Sequence, residues 1–359
     1  MCLYPKIMKN KRYTVTEKNG GNVPLPPVIG YKWVQLGEER KKMPIYDERV
    51  LQVQIPCGNC IECRRAKANE WRSRMHEELK VTEYPYFVTL TFDPCKLKDL
   101  CEETGLKECN AVAGKAVRRF LERFRKKNKK SLKHWLITEL GHQETERIHL
   151  HGILFSHIKL ETEEIEKLWY YGNIWVGDYC NQKTINYIVK YVTKLDMDHK
   201  SFKGQIFCSP GIGKNYMTIL NPLKYIYEKG NTKTSYRLEN GSQIKLPVYW
   251  KNKLYSEEER QKIWRDVMDR NESYVMGVRH SLEDLTQSIQ DRAQETNIKL
   301  GYGTDGQEWR KQDYNVTIRM VRKRAKAFAQ KMAYLRGEDA KNVKINEKME
   351  KKFASMENL

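Results

Sequence analysis

Two stretches of alternating apolar character, KHWLITEL (Lys133–Leu140) and IHLHGILF (Ile148–Phe155), are separated only by the polar segment 141–147. Each reads as a strand, because side chains two apart leave the same face. A connection this short joins strands that run antiparallel, whereas a parallel pair needs a crossover of a dozen residues or more. Tyr84–Phe92 (YPYFVTLTF) is rich in β-branched and aromatic residues and reads as a third strand. Helical periodicity surrounds these strands. Ile61–Lys80 follows a cysteine cluster, and Gly114–Lys126 places Val117, Phe120, Leu121 and Phe124 at i, i+3, i+4 and i+7. Glu161–Tyr170 and Lys183–Leu195 read as further helices. Strands and helices mixed in this order predict an α+β fold, a central antiparallel sheet flanked by helices.

The remainder is less regular. Residues 1–56 carry Gly20, Gly21, Pro24, Pro26 and Pro27 and read as irregular chain. Residues 201–250 are turn-rich, and from Ser256 onward the pattern is helical and highly charged. Ala325–Leu359 reads as a Lys-rich, partly disordered tail. There is no internal repeat. The expected organisation is an N-terminal segment with a cysteine cluster and a basic helix (1–80), a sheet domain (81–220), and a basic, largely helical C-terminal region (221–359).

Lys and Arg number 66 against 46 Asp and Glu, a formal net charge of +20. Such an excess repels itself unless a polyanion neutralises it, which makes nucleic acid the first candidate partner and an anionic membrane surface the second. No apolar run approaches the roughly 18 residues of a spanning helix, and Met1–Tyr13 lacks a signal-peptide core. The expectation is therefore a cytoplasmic protein with no membrane partner. Nine cysteines do not space as a secreted disulfide framework and read as reduced thiols.

His149 and His151 are two apart on one strand, so both imidazoles leave the same face and form half a metal site. Glu139 ends the preceding strand, in step with Trp135 and Ile137, and an antiparallel pairing brings it beside the histidines. Glu144 and Glu146 read as solvated, with either an alternative to Glu139 as third ligand, and His142 reads as a turn residue. Two imidazoles and a carboxylate leave places for water and a phosphate oxygen, a donor set suited to Mg²⁺ or Mn²⁺.

Tyr187, Lys190, Tyr191 and Lys194 form one helical stripe at positions 0, 3, 4 and 7. Ile185, Ile188, Val189, Val192 and Leu195 occupy the other side and supply the core contact, so the tyrosines face elsewhere among lysines. A phenol ionises near pH ~10 and needs assistance to attack at neutral pH. Ammonium groups favour the phenolate, and a metal on a phosphate stabilises the charge that develops there. Attack by tyrosine forms a phosphotyrosine link and frees a 3′-hydroxyl, so the cut strand remains joinable. Two tyrosines one turn apart can alternate in that role.

Cys57, Cys60 and Cys63 make a C-x-x-C-x-x-C run. Close thiolates suit a structural Zn²⁺, with Cys2 the first choice of fourth ligand and His76 the second; an iron–sulfur cluster is the alternative occupant. Arg64, Arg65, Lys67, Arg72 and Arg74 follow on the helix, where they can meet phosphates.

The ordered set FVTLTFD (Phe87–Asp93), HLHGILF (His149–Phe155) and YIVKYVTK (Tyr187–Lys194) resembles the HUH endonuclease superfamily. Within it the chain looks most similar to rolling-circle replication initiators of microviruses, the gokushovirus-like single-stranded DNA phages. The opening MCLYP, the cysteine run ending in Arg64 and the YxxKY helix carry that likeness over roughly residues 1–220. The resemblance implies His149, His151 and Glu139 as ligands of a divalent cation and Tyr187 and Tyr191 as nucleophiles, with Lys190 and Lys194 compensating phosphate charge. It implies a metal-dependent enzyme that nicks and rejoins single-stranded or locally melted origin DNA in a bacterial host's cytoplasm. Residues 211–215 (GIGKN) lack phosphate-loop spacing, so a host helicase and polymerase are expected partners. Two rivals remain open: a related HUH transposase or relaxase, and a non-catalytic, zinc-stabilised nucleic-acid-binding regulator.

Overall fold

A computed structural model describes residues 2–16, 20–141, 146–196, 199, 202–219, 225–239, 241–281, 284–285 and 287–302, together with 327, 330, 332, 333, 335 and 336. His142, Glu144 and nearly all of the Lys-rich tail lie outside these residues. Two compact units are present: residues 1–63 with 270–359, and residues 64–269.

The first unit opens with β1 (Lys6–Lys9), β2 (Val28–Leu36), β3 (Glu39–Tyr46) and β4 (Gln52–Ile55). β1 pairs with β4 and β2 with β3, both antiparallel. The irregular chain expected over residues 1–56 is thus partly a hairpin. Pro and Gly punctuation marks its borders, and Gly37, at φ +65°, makes its turn. α1 (Ile61–Lys80) begins as expected, and the division between units falls after its Cys63.

The second unit continues with β5 (Tyr84–Leu90), α2 (Pro94–Thr104), α3 (Cys109–Asn128), β6 (Lys133–Leu140), β7 (Ile148–Ser156), α4 (Thr162–Trp169) and β8 (Ile174–Val176). Then come α5 (Gln182–Ile188), α6 (Lys190–Thr193), β9 (Ile206–Cys208), α7 (Asn215–Ile219), β10 (Ser235–Arg237), β11 (Gln243–Lys245), α8 (Val248–Leu254) and α9 (Glu257–Asp269). Five strands form one sheet in the order β8-β5-β7-β6-β9, every pair antiparallel. This is the α+β architecture the sequence predicts.

Alternation along the central strands divides the core into two layers. Leu136, Leu140, Ile148, Leu150 and Leu154 pack with Val112, Val117, Phe120 and Phe124 of α3 and Ile165 of α4. Trp135, Ile137, Ile153 and Phe155 leave the opposite face and pack with Ala68 and Met75 of α1 and with Ile185, Ile188, Val189 and Val192. Helices therefore cover both faces of the sheet. Gly152 sits where β6 passes closest: a Cβ there would run into the Trp135 carbonyl oxygen.

After α9 the chain returns to the first unit with β12 (Glu272–Val275), β13 (Val278–Ser281) and α10 (Gln287–Lys299). The short hairpin interrupts the run of helix expected from Ser256. Its turn residues Met276 and Gly277 have φ of +50° and +86°, a turn that Met does not advertise. Leu3, Tyr4, Cys60, Ile61, Val275, Leu285 and Ala293 form this unit's core. No helix among the described residues is long and apolar enough to cross a membrane.

Candidate metal and tyrosine site

The register of the sheet assembles the first part of the site. Glu139 of β6 lies directly opposite His149 of β7, and His151 lies opposite Thr89 of β5 on its other side. All four side chains leave the face shared with α5 and α6. The Nε2 atoms of His149 and His151 stand 3.1 Å and 2.9 Å from one carboxylate oxygen, Glu139 Oε2. His149 Nδ1 faces the Arg147 carbonyl oxygen at 3.3 Å. A carbonyl only accepts, so Nδ1 carries the hydrogen, and in the neutral ring the Nε2 lone pair points at a carboxylate oxygen. Two acceptors so close require a proton or a cation between them.

The three donor atoms fit a divalent cation. Adjacent ligands of an octahedral ion with bonds of about 2.1 Å lie about 3.0 Å apart, close to both measured separations. Thr89 Oγ1, 3.0 Å from His151 Nδ1, holds the other nitrogen of that ring, as outer partners of metal-binding histidines do. Burial works to raise the Glu139 carboxyl, but with a hydrogen on each facing imidazole nitrogen, donation from His149, His151 and the Lys194 ammonium outweighs it and holds the group well below the usual carboxylate range. The Lys194 ammonium contacts Glu139 Oε1 directly.

The tyrosines come from a capped helix. Asn181 Oδ1 accepts from the N–H groups of Lys183 and Thr184, and Thr184 Oγ1 accepts from Asn181 N–H, a closed capping box that starts α5. The helix expected over 183–195 is interrupted at Val189, so Tyr187 ends up on α5 and Tyr191 on α6. Their phenol oxygens still meet, 2.9 Å apart. The Tyr191 ring stacks on His151 with centroids 4.5 Å apart and planes 12° from parallel. Burial, then the Tyr187 hydrogen bond and the Glu139 charge, push the Tyr191 phenol above its ordinary range. Tyr187 is 46% exposed and meets Phe87 edge-on, with centroids 6.0 Å apart. Lys190 Nζ lies 5.9 Å from the Tyr187 ring centre and Lys194 Nζ 5.7 Å from that of Tyr191.

The residues expected to act together thus converge on one face: Glu139, His149, His151, Tyr187, Tyr191, Lys190 and Lys194. Glu146 instead lies 3.4 Å from His199 Nε2. Two neighbours escaped the sequence reading. Thr89 belongs to the FVTLTFD strand, but its role depends on β5 pairing with β7. Trp175 of β8, 54% exposed, lies opposite Thr89 and meets Phe87 edge-on; its strand of three apolar residues is too short to carry a periodic signal.

A second group lies in the first unit. The Sγ atoms of Cys2, Cys57, Cys60 and Cys63 all fall within 4.8 Å of one another, with Cys57 and Cys63 3.9 Å apart. Backbone N–H groups of Cys57, Tyr4, Leu3 and Cys60 donate to these sulfurs at 3.2–3.5 Å. Hydrogen bonds from Cys2, Cys60 and Cys63 hold the Cys57 thiol far below its ordinary range. A tetrahedral ion with Zn–S bonds of about 2.3 Å separates its sulfurs by about 3.8 Å, so the set fits a tetrathiolate centre. Cys2 is the fourth member; His76 is not in the group.

Residues 85–196, from β5 to just beyond α6, match a family model of replication-associated proteins of the ORF2 type. Every side chain of the candidate metal and tyrosine site falls within the matched residues. The chain is also 26% identical over 224 residues to the replication-associated protein VP4 of Bdellovibrio phage phiMH2K, a match covering 55% of this chain and 66% of that protein. The matched part is thus just under two thirds of the relative's length. Both likenesses support the resemblance to phage rolling-circle initiators. No solved structure matches the chain.

Proposed function

We propose that this chain is a replication initiator endonuclease that nicks and rejoins origin DNA through a 5′-phosphotyrosine intermediate during rolling-circle replication of a single-stranded DNA phage. The observation carrying this reading is the stacking of Tyr191 on His151, which joins a candidate nucleophile to a candidate ligand set in one cluster. His149, His151 and Glu139 would hold Mg²⁺ or Mn²⁺, which when bound withdraws charge from a scissile phosphate.

The chain's own groups do the rest. A phenol oxygen attacks phosphorus as the bond to the 3′ oxygen breaks; the phenol's proton ends on that oxygen, giving a 3′-hydroxyl. The number of phosphoester bonds is unchanged, so a 3′-hydroxyl can later reverse the step. The hydrogen bond between the two phenols holds both rings together beside the candidate ligand set. Lys190 and Lys194 bring positive charge to the same place, and the exposed Trp175 indole offers a platform for a base beside it. Single-stranded or locally melted origin DNA is the proposed substrate, with host helicase and polymerase completing the cycle.

The test is a cleavage assay on labelled single-stranded DNA carrying a cognate origin, with Mn²⁺, resolved on denaturing gels with and without protease. A protease-sensitive adduct is expected, absent in EDTA and in the Tyr187→Phe/Tyr191→Phe double variant. DNA binding without an adduct would move the assignment to a non-catalytic binding protein.

In the first unit, the four thiolates are proposed to hold a structural Zn²⁺. One zinc per chain is expected by elemental analysis, lost in Cys60→Ser; iron with visible charge-transfer absorption would replace that assignment by a cluster.

A further inference from the structure

Among the described residues, β2 and β3 form a ribbon, pairing with each other and with no third strand, from Val28↔Tyr46 to Leu36↔Glu39. Residues opposite one another in such a ribbon share a face, and successive residues alternate. The register therefore sorts the side chains. Tyr31, Trp33 and Gln35 share one face with Pro44, Lys42 and Arg40. Lys32, Val34 and Leu36 share the other with Met43, Lys41 and Glu39.

The two faces differ in charge. Glu39 lies on the second face, where it pairs with Lys41 at 3.3 Å, and Glu38 lies in the turn. The first face is left with two cations and no carboxylate. It also carries two large aromatic side chains in the open: Tyr31 is 50% exposed and Trp33 59%. Lys42 Nζ lies 5.0 Å from the Tyr31 ring centre, so charge and π-surface are juxtaposed. Exposed rings alternating with cations are costly as mere surface and match what unpaired nucleotides present: flat bases and a negative backbone.

We propose that the Tyr31–Trp33–Arg40–Lys42 face of this ribbon binds single-stranded DNA, the rings stacking on bases and the two cations meeting phosphates. The proposal rests on the reading that DNA is this chain's substrate, and adds a binding arm outside the nicking site. An unpaired strand is the form selected, because in a duplex each base is already stacked between its neighbours. The two rings are two residues apart, about 6.7 Å along the strand, roughly two steps of the ~3.4 Å rise per base.

The test is fluorescence anisotropy with a labelled oligothymidine and with a matched duplex, over a series of salt concentrations. All measurements use the full chain carrying Tyr187→Phe and Tyr191→Phe, so that binding is read apart from nicking. Tyr31→Ala/Trp33→Ala is expected to weaken single-strand binding by about fivefold or more, and duplex binding much less. Arg40→Gln/Lys42→Gln is expected to lower the salt slope for single strands by about 1.4. The control is Lys41→Gln on the opposite face, expected to change single-strand affinity by less than twofold. Unchanged affinity in both first-face variants would overturn the proposal. So would an equal loss for duplex and single strand, or a Lys41→Gln effect as large as that of the first face. Failure of nicking in the parent chain would leave this measurement standing, and failure here would leave the nicking assay standing.

Discussion

Thr89→Val is the sharpest probe of the proposed metal centre, because it changes one contact and leaves every proposed ligand in place. Thr89 is paired directly with His151 across β5 and β7, and its Oγ1 lies 3.0 Å from His151 Nδ1. Valine keeps the branched shape and strand preference of threonine but replaces the hydroxyl by a methyl. His151 is only 12% exposed, so water compensates poorly for the lost partner. A lost hydrogen bond of this kind costs about 0.5–1.5 kcal/mol, and loss of an outer partner of a metal-bound histidine weakens binding by about 10–100-fold, or roughly 1.4–2.7 kcal/mol. The two ranges meet near tenfold. Mn²⁺ affinity, measured by the electron paramagnetic resonance of free Mn²⁺, should therefore fall by about one order of magnitude. Thr89→Ser, which retains the hydroxyl, should recover most of it. Thermal unfolding without metal should fall by no more than a few degrees in the valine variant, as loss of one hydrogen bond implies, and stay close to the parent in the serine variant. Equal affinity in parent and Thr89→Val, or a serine variant as weak as the valine one, would refute the argument. A parent chain that binds no Mn²⁺ would refute the ligand set itself.

Three other outcomes are expected. Tyr187→Phe and Tyr191→Phe should reduce adduct formation unequally, because one ring is stacked on His151 while the other is largely open; equal loss would count against an ordered use of two tyrosines. Gly152→Ala should destabilise the second unit by about 2 kcal/mol or more in urea unfolding, since its methyl would collide with the Trp135 carbonyl; a change below about 0.5 kcal/mol would show that the sheet yields there. His199 should titrate above an ordinary histidine, because Asp196, 2.8 Å from Nδ1, and then Glu146 favour its charged form. With the folded value raised, any stabilisation from this cluster is complete below about pH 6.5 and fades as pH rises through the raised value. Titration by nuclear magnetic resonance at or below the ordinary value would contradict it.

Local pattern made part of this molecule readable. The strands at 133–140 and 148–156 and the 61–80 helix stand where period and punctuation place them. Glu139 could be matched to His149 because a short turn leaves few registers. What escaped depends on non-local pairing or on weak signals. Thr89 and Trp175 gain meaning only from the order β8-β5-β7, which nothing in either segment states. The break at Val189 has neither Gly nor Pro to announce it. The β2–β3 ribbon was obscured by the prolines before it and by being exposed along most of its length, so its alternation never resolves into apolar and polar sides. Cys2 was easier to join to its partners, since three thiols at close spacing lacked a fourth.

The interruption at Val189 carries a further consequence. Val189 keeps right-handed helical angles and its N–H still reaches the Ile185 carbonyl oxygen, so the chain is loosened there without a hinge. Under the proposed two-tyrosine chemistry, a strand taken up by the more open Tyr187 would be accommodated by side-chain rotation and a small adjustment of this turn, while Tyr191 stays seated on the His151 ring.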